Sequence, residues 1–143
     1  MLPLVPMAVR TMAGIDRRTG KVIDNLSSAY QGVEVILTTR INSRVMRREF
    51  GAGVVELLGR AVTPSLFTAW LQLVATAIDI WEPRLPVRRI VPSGTADEIR
   101  MGRAGVLIEA DYRPRAHLGD FSVERVVGFT ISFGRGVVVQ SAI

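Results

Sequence analysis

Residues 63–84 read TPSLFTAWLQLVATAIDIWEPR, and they separate a helical part of the chain from an extended part. Thr63 followed by Pro64 is a typical helix start, because the hydroxyl can cap the helix and proline suits its first position. One apolar face then runs to the end of the segment through Phe67, Trp70, Leu71, Val74, Ile78 and Trp81. Pro83 ends the helix, and beyond it the apolar pattern changes from helical spacing to alternation.

The sequence before this helix predicts a second amphipathic helix. A tight turn at residues 18–20, flanked by short extended pieces, precedes Asp24 and Asn25, either of which can cap a helix. The apolar face of this helix consists of Leu26, Ala29, Tyr30, Val33, Ile36 and Leu37. Gly32 lies inside the helix and weakens it by about 1 kcal/mol relative to alanine. A further short helix is expected within residues 53–59.

The sequence after Pro83 predicts four strands. They are expected at residues 87–91, 106–112, 127–133 and 137–140. Residues 93–96 and 102–105 are typical of turns, and residues 114–120 of a loop. Helices followed by strands favour an α+β fold, with two main helices and a short one packed on a small, mostly antiparallel sheet.

At 143 residues the chain is expected to form one domain. We assign residues 13–143 to that domain, with residues 113–143 as a C-terminal strand extension. Residues 1–12 are predicted to form an N-terminal arm, because Pro3 and Pro6 interrupt their apolar run. This arm is far shorter than the roughly 20 apolar residues of a membrane span and has no basic start, so we expect neither a membrane segment nor a signal peptide.

The composition is that of a basic globular protein. The net charge is +5, and only Lys21 among the 18 basic residues is a lysine. Such a bias is compatible with nucleic acid, an anionic membrane or acidic protein partners. Arginine offers a planar fork for carboxylates and stacks on aromatic rings, as protein interfaces prefer. The composition therefore leaves the partner class open.

No residue pattern predicts a catalytic, cofactor or metal site. His117 is the one histidine and lies in a loop without a neighbouring serine or second histidine, and cysteine is absent. The acidic residues show no metal-ligand spacing. Gly51-Ala-Gly53 lacks the lysine and the preceding strand that a phosphate-binding loop needs. We therefore expect a protein that is not an enzyme.

Two charged motifs are candidates for contacts with other proteins. Residues 44–51 form a loop that is too charged for a core, and its candidate contact residues are Arg47, Arg48, Glu49, Phe50 and Gly51. Glu82-Pro83-Arg84 follows the long helix, and we expect Pro83 to fix the chain direction so that both charges project outward to a partner. The alternatives are an internal ion pair at a helix stop and an internal latch with Phe50 packed under the first helix.

Two further functions are weighed against protein docking. A cell-wall glycosidase needs two carboxylates, and Glu49 with Glu56, or Glu82 with Asp79, are the candidates. The arginines that precede Glu49 favour a salt-bridged structural role for it instead. A nucleic-acid-binding module is the other possibility, but the arginines form no continuous stripe on either main helix.

The last two strands suggest a docking edge. After Arg125 only Arg135 is charged, and the segment has high β-propensity. An exposed edge of this kind aggregates unless another chain pairs with it. We therefore predict that this edge accepts a strand from another protein by β-augmentation.

Taken in order, several short motifs resemble the baseplate wedge, or sheath-initiator, family of contractile phage tails, which has distant relatives in type VI secretion. The motifs are Gly14-Ile-Asp-Arg-Arg-Thr-Gly20, Ile36-Leu-Thr-Thr39, Ser43-Arg-Val-Met-Arg-Arg-Glu-Phe-Gly51, Leu57-Leu58 and Trp81-Glu-Pro-Arg84. Relatives have a proline and a glycine where this chain has Arg40-Ile-Asn-Ser43. Asn42 tolerates a left-handed conformation, so the turn is expected to persist.

The resemblance implies a structural, non-enzymatic part of the tail baseplate, assembled in the host cytoplasm. Its implied partners are the baseplate wedge proteins and the tail sheath protein, with tube or hub proteins as further candidates and neither nucleic acid nor membrane. Glu82-Pro83-Arg84 would contact the helical core bundle of the wedge proteins. The strands would offer the edge on which the first sheath ring is built.

Overall fold

The computed structural model describes residues 14–54, 63–101, 103, 105–134 and 136–142. The chain starts there with a small antiparallel hairpin of β1 (Gly14–Ile15) and β2 (Val22–Ile23). The Asp16 carboxylate fixes the turn by accepting hydrogen bonds from the backbone N–H groups of Arg18 (2.7 Å) and Thr19 (3.1 Å). The predicted turn with extended flanks is therefore confirmed.

Two long helices follow, and both begin where the sequence predicts. Helix α1 (Asn25–Thr38) is capped by Asp24, whose side chain accepts a hydrogen bond from the Ser27 N–H. Helix α2 (Pro64–Trp81) is capped by Thr63, which accepts from the Leu66 N–H. The predicted apolar faces supply the buried residues of each helix, which include Val33 and Leu37 in α1 and Val74 and Ile78 in α2.

A four-stranded antiparallel sheet forms the second layer, in the spatial order β3-β4-β5-β6. Its strands are β3 (Val87–Ser93), β4 (Gly105–Tyr112), β5 (Arg125–Phe133) and β6 (Val137–Ser141). The alternating pattern is confirmed, since every second residue of β4 is buried. One face of the sheet packs against the helices, with Tyr30 against Phe129 and Trp70 against Phe133 at ring-centroid distances of 5.2 and 4.7 Å.

The fold is thus α+β, as predicted, and it contains a short helix that the sequence did not predict. The structure describes a short helix α3 (Ala96–Arg100) in the connection where we expected only turns. A capping box stabilises it, because Thr95 and Glu98 hydrogen-bond reciprocally to each other's backbone N–H. The short helix predicted within residues 53–59 falls mostly outside the described residues, and so do residues 1–12 of the expected arm.

The C-terminal segment is integral to this core. Residues 113–143, expected as a strand extension, supply β5 and β6, two of the four strands. Phe129 and Ile131 of β5 are fully buried, and Val137 of β6 is nearly so. The helices therefore need these strands to cover their apolar faces.

Candidate partner-binding site

The corner Glu82-Pro83-Arg84 ends α2, and its two charges face each other inside the protein. Glu82 is 5% exposed. Arg84 donates to it twice, from Nε to Oε1 at 2.7 Å and from Nη2 to Oε2 at 3.0 Å. This bidentate arrangement is the strong form of an arginine–carboxylate pair.

Arg84 also connects the corner to the start of α1. Its Nη1 donates to Asn25 Oδ1 at 2.8 Å, and the Asn25 side-chain amide donates to the backbone oxygen of Pro114 at 2.9 Å. Tyr112 hydrogen-bonds to Asn25 as well, and its burial raises the pKa of its phenol above the usual 10.0. We call Glu82, Arg84 and Asn25 the brace, because they join α2, the beginning of α1 and the segment after β4.

Gly32 gives the Glu82 carboxylate the room it needs. A Cβ atom at position 32 would collide with Glu82 Oε2, and it would also lie 3.8 Å from Arg84 Nη2. The glycine that seemed only to weaken α1 therefore lets α1 approach the brace. The sequence did not reveal that Gly32 and Asn25 belong beside Glu82 and Arg84. The available signal was the glycine in the middle of an amphipathic helix, which can mark a close approach.

The prediction that both charges of the corner project outward is wrong. Their burial and mutual pairing match the alternative, an internal ion pair at a helix stop. The physical reason is that Asn25 and the carboxylate together satisfy the Arg84 guanidinium, so it gains nothing from facing water. Pro83 alone of the three is exposed.

The arginine loop, residues 40–51, shows the opposite behaviour. Residues 40–49 are all exposed, including Val45 at 89% and Met46 at 82%. Its backbone is nevertheless fixed internally, since the Asn42 N–H donates to the Arg48 oxygen at 2.7 Å and the Ser43 N–H to the Arg40 oxygen at 3.2 Å.

Left-handed backbone conformations shape this loop. Asn42 has φ 68° and Arg47 has φ 55°, a conformation that side chains other than glycine rarely adopt. The expectation that Asn42 preserves the turn in place of a glycine is confirmed. Gly51 has φ 129° and is buried, and a Cβ there would collide with the Thr39 carbonyl oxygen. Gly51 therefore anchors the loop to the end of α1.

Phe50 anchors the loop to the end of α2. Its ring meets Trp81 edge-to-face at a centroid distance of 5.0 Å, and the Arg44 guanidinium lies 4.1 Å from the centre of the Phe50 ring. The internal latch proposed for Phe50 is present, and its aromatic partner belongs to the second long helix rather than the first. Because Trp81 directly precedes Glu82, the loop and the corner are neighbours.

Three further charged residues of the loop are Arg47, Arg48 and Glu49. Among the described residues, no side-chain hydrogen bond or ion pair involves Arg47, Arg48 or Glu49. The salt-bridged role expected for Glu49 is therefore not seen within that part of the chain. The arginine loop presents its guanidinium groups to solvent, whereas the corner encloses its own.

The sheet offers a second candidate surface, along β6. Backbone hydrogen bonds join Ala142 to Gly128 and Gly134 to Gly136, and hydrogen-bonding alternates along an antiparallel pair. The backbone N–H and C=O groups of Val139 therefore point away from β5. No strand pairs with β6 on that side in the described part of the chain.

The opposite edge of the sheet is blunted. Strand β3 carries Arg88, Arg89 and Pro92, and its register shifts between Val87 and Arg89. Charges, prolines and bulges are features that prevent edge-to-edge pairing. Strand β6 has none of these. The predicted docking edge is thus the less protected of the two.

A groove of about 390 Å³ runs beside β6. It is lined by Arg17 and Ile23 of the β1–β2 hairpin, by Tyr30 and Gln31 of α1, and by Val139 of β6. Gln31 holds the hairpin in place, because its side chain accepts from the Arg17 N–H and donates to the Ile15 oxygen.

The carboxylates considered for catalysis have structural partners. Glu82 is bound by Arg84, and Asp79 Oδ1 accepts a hydrogen bond from the Val87 N–H at 2.7 Å. Glu56 lies outside the described residues. His117 is exposed in its loop, and the described residues contain no group of acidic and histidine side chains that could hold a metal ion. None of the described helices is long and apolar enough to cross a bilayer.

Comparison with known proteins gives concordant results. The family described as Baseplate wedge protein gp25 matches residues 27–117. Baseplate protein W of Escherichia phage P2 is 29% identical over 84 residues, which cover 59% of this chain and 73% of that protein. A chain of the post-contraction baseplate of pyocin R2 has a TM-score of 0.58 at 31% identity, over 71% of this chain and 99% of that one.

A crystal structure from Geobacter sulfurreducens, described as a tail lysozyme, has the same fold. It has a TM-score of 0.57 at 23% identity, covering 79% of this chain and 93% of the other. At this identity the likeness concerns the fold alone.

Proposed function

The chain belongs to the baseplate wedge protein gp25 family of contractile tails, and from this membership we propose that it docks onto the wedge proteins and starts the sheath by strand addition. It is a structural part of the tail baseplate. The proposal assigns the sheath to one surface, β6, and the wedge proteins to another, formed by the arginine loop and the adjoining corner.

The observation that carries the sheath assignment is the outer edge of β6, with which no strand pairs among the residues that the structure describes. The backbone groups of Val139 point away from β5, so they are available to a strand from another chain. β-Augmentation derives its affinity from such main-chain hydrogen bonds and its specificity from pockets for alternate side chains. The groove between β6, α1 and the hairpin provides such space.

The candidate contact residues of the two charged motifs have two roles in the wedge assignment. Arg47, Arg48 and Glu49 are exposed on the arginine loop and serve as contacts, while Phe50 and Gly51 hold the loop in position. At the corner, Pro83 is the exposed contact. Glu82 and Arg84 support docking by fixing the shape of the corner from inside.

The sheath assignment is tested by removing one N–H group. Val139→Pro deletes a donor that faces the free edge and leaves the β5–β6 hydrogen bonds in place. Val139→Ala is the matched control, since it removes the partly buried side chain but retains the N–H. We expect tails carrying Val139→Pro to form baseplates and tubes without sheath by electron microscopy, and tails carrying Val139→Ala to be sheathed. Normal sheath on the proline variant would refute strand addition at β6.

We also propose that the protein catalyses no reaction. The carboxylates of Glu82 and Asp79 are engaged by Arg84 and by a backbone N–H, which leaves neither in the state of a free acid–base pair. We expect the purified protein to leave the turbidity of a peptidoglycan suspension unchanged. Cleavage that disappears in Glu49→Gln would establish the glycosidase alternative instead.

A further inference from the structure

We propose that the arginine loop is a preformed docking surface for an acidic protein segment that also carries an apolar side chain. This inference rests on the proposed function for the existence of a wedge-facing surface, and it adds the chemistry of the segment bound there. The surface consists of Arg40, Arg44, Arg47 and Arg48 together with two exposed apolar residues, Val45 and Met46.

The charge of the loop selects an acidic occupant. Four arginines stand against one carboxylate, Glu49, within ten consecutive exposed residues. The guanidinium groups of Arg47 and Arg48 have no ion-pair partner in the described part of the chain. Guanidinium groups bind carboxylates in bidentate fashion, so aspartate or glutamate side chains complete this surface.

The two apolar side chains make the occupant a protein rather than a nucleic acid. Val45 is 89% exposed and Met46 is 82% exposed, so the isolated chain gains almost nothing from either. Phosphate binding has no use for them, whereas protein interfaces combine arginine with methionine and aromatic residues. The Arg44 guanidinium over the Phe50 ring extends the same mixed surface towards Trp81.

The loop needs little reorganisation to bind. Hydrogen bonds across its backbone, the left-handed residues Asn42 and Arg47, and the buried Gly51 together hold one conformation. Phe50 attaches that conformation to the end of α2. Preorganisation of this kind reduces the entropy lost on association. Left-handed non-glycine residues also cluster at binding sites, where the surrounding structure enforces them.

The test compares two double charge reversals in the full chain, with wedge proteins of the same tail as the probe. Arg47→Glu with Arg48→Glu reverses the loop. Arg89→Glu with Arg103→Glu makes the same change in net charge at exposed positions outside the loop. We expect the loop variant to bind the wedge proteins roughly 30-fold more weakly. The control should bind within about twofold of the original affinity.

The apolar half of the surface has its own variant. Val45→Ser with Met46→Ser leaves the charge unchanged, and we expect a roughly tenfold loss of affinity for the same wedge proteins. Unchanged thermal unfolding of each variant establishes that the fold is intact. Unchanged affinity of this variant would overturn the apolar part of the proposal.

Three results would overturn the inference. The first is an unchanged affinity of the Arg47/Arg48 variant, and the second is an equal loss in the Arg89/Arg103 control. The third is binding of duplex DNA that the loop reversal abolishes while wedge binding persists. In all three, loss of sheath in Val139→Pro tails would leave the sheath half of the proposed function standing. Wedge proteins that bind no form of the chain would remove the docking half as well.

Discussion

The corner and the arginine loop combine arginine with glutamate, lie next to each other and behave in opposite ways. Glu82 and Arg84 are 6% and 12% exposed at their side chains and bind each other, whereas Arg47, Arg48 and Glu49 face solvent. The difference comes from their surroundings. The corner meets Asn25 and the space above Gly32, which satisfy and accommodate its charges, and the loop meets neither. The same residue types thus pair with each other inside the protein in one place and face solvent in the other.

The largest expected effect is the loss of one partner of the brace. Glu82→Ala leaves the Arg84 guanidinium buried without its carboxylate, and breaking a buried pair in this way costs about 3–5 kcal/mol of the free energy of unfolding. Urea unfolding of the purified protein measures it. Glu49→Ala is the matched control, because it removes an exposed glutamate, and surface substitutions change stability by about 0.5 kcal/mol or less. Equal effects of the two substitutions would abolish the distinction between corner and loop.

Gly32→Ala tests whether the brace needs the space at position 32. The substitution should destabilise the protein when Glu82 is present and stabilise it when Glu82 is replaced by alanine. In the original chain the new methyl group displaces the Glu82 carboxylate from Arg84, and we expect a loss of about 1–3 kcal/mol, as for overpacking. In a Glu82→Ala background the obstacle is absent. There the alanine should stabilise the protein by about 1 kcal/mol through helix propensity alone. Stabilisation in both backgrounds would mean that the glycine does not serve the brace.

The sequence predicted what depends on near neighbours in the chain. Asp24 and Thr63 indicate helix starts, and the alternation within residues 106–112 and 127–133 indicates strands. Both signals depend only on residues a few positions apart in the chain. The short helix after Thr95 was missed although it has a local signal, the threonine three residues before Glu98 that forms a capping box.

The brace could not be predicted in the same way. Arg84 finds Asn25 59 residues earlier in the chain, and Asn25 finds Pro114 89 residues later. Whether Glu82-Pro83-Arg84 turns inward depends on these distant partners and on the missing side chain of Gly32. No spacing within the motif carries that information. For the loop, the sequence indicated a charged connection, but exposure of Val45 and Met46 became evident only once the fold was known.

The stability of the helix start beside the brace should depend on pH. Asp24 caps the helix whose first residue is Asn25, and its carboxylate titrates. A hydrogen bond from the Ser27 side chain is the main reason that the pKa of Asp24 lies below its ordinary value of 3.8. Since the folded pKa is depressed, the stabilisation is fully present above the unfolded value and is lost as the pH falls below 3.8 through the folded value.

Two substitutions at this position separate the charge from the cap. Asp24→Ala should cost about 1 kcal/mol at neutral pH, as for other N-caps. Asp24→Asn keeps a capping oxygen, so it should be nearly as stable as the original chain at neutral pH and should lose less stability in acid. Unfolding curves recorded at neutral pH and below 3.8 measure both effects. Parallel acid losses in the original chain and in Asp24→Asn would contradict the assignment.

The smallest effect on stability is expected where the effect on binding should be large. Val45→Ser with Met46→Ser removes apolar atoms that are already in water, so each substitution should change the free energy of unfolding by about 0.5 kcal/mol or less. Val33→Ser is the same valine-to-serine substitution at a fully buried site in α1, and it should lower the free energy of unfolding several times more. An apolar side chain stabilises the fold by the surface that it buries, and Val45 and Met46 bury very little in the isolated chain. A substantial loss of stability in the double variant would mean that the loop packs internally, as the corner does.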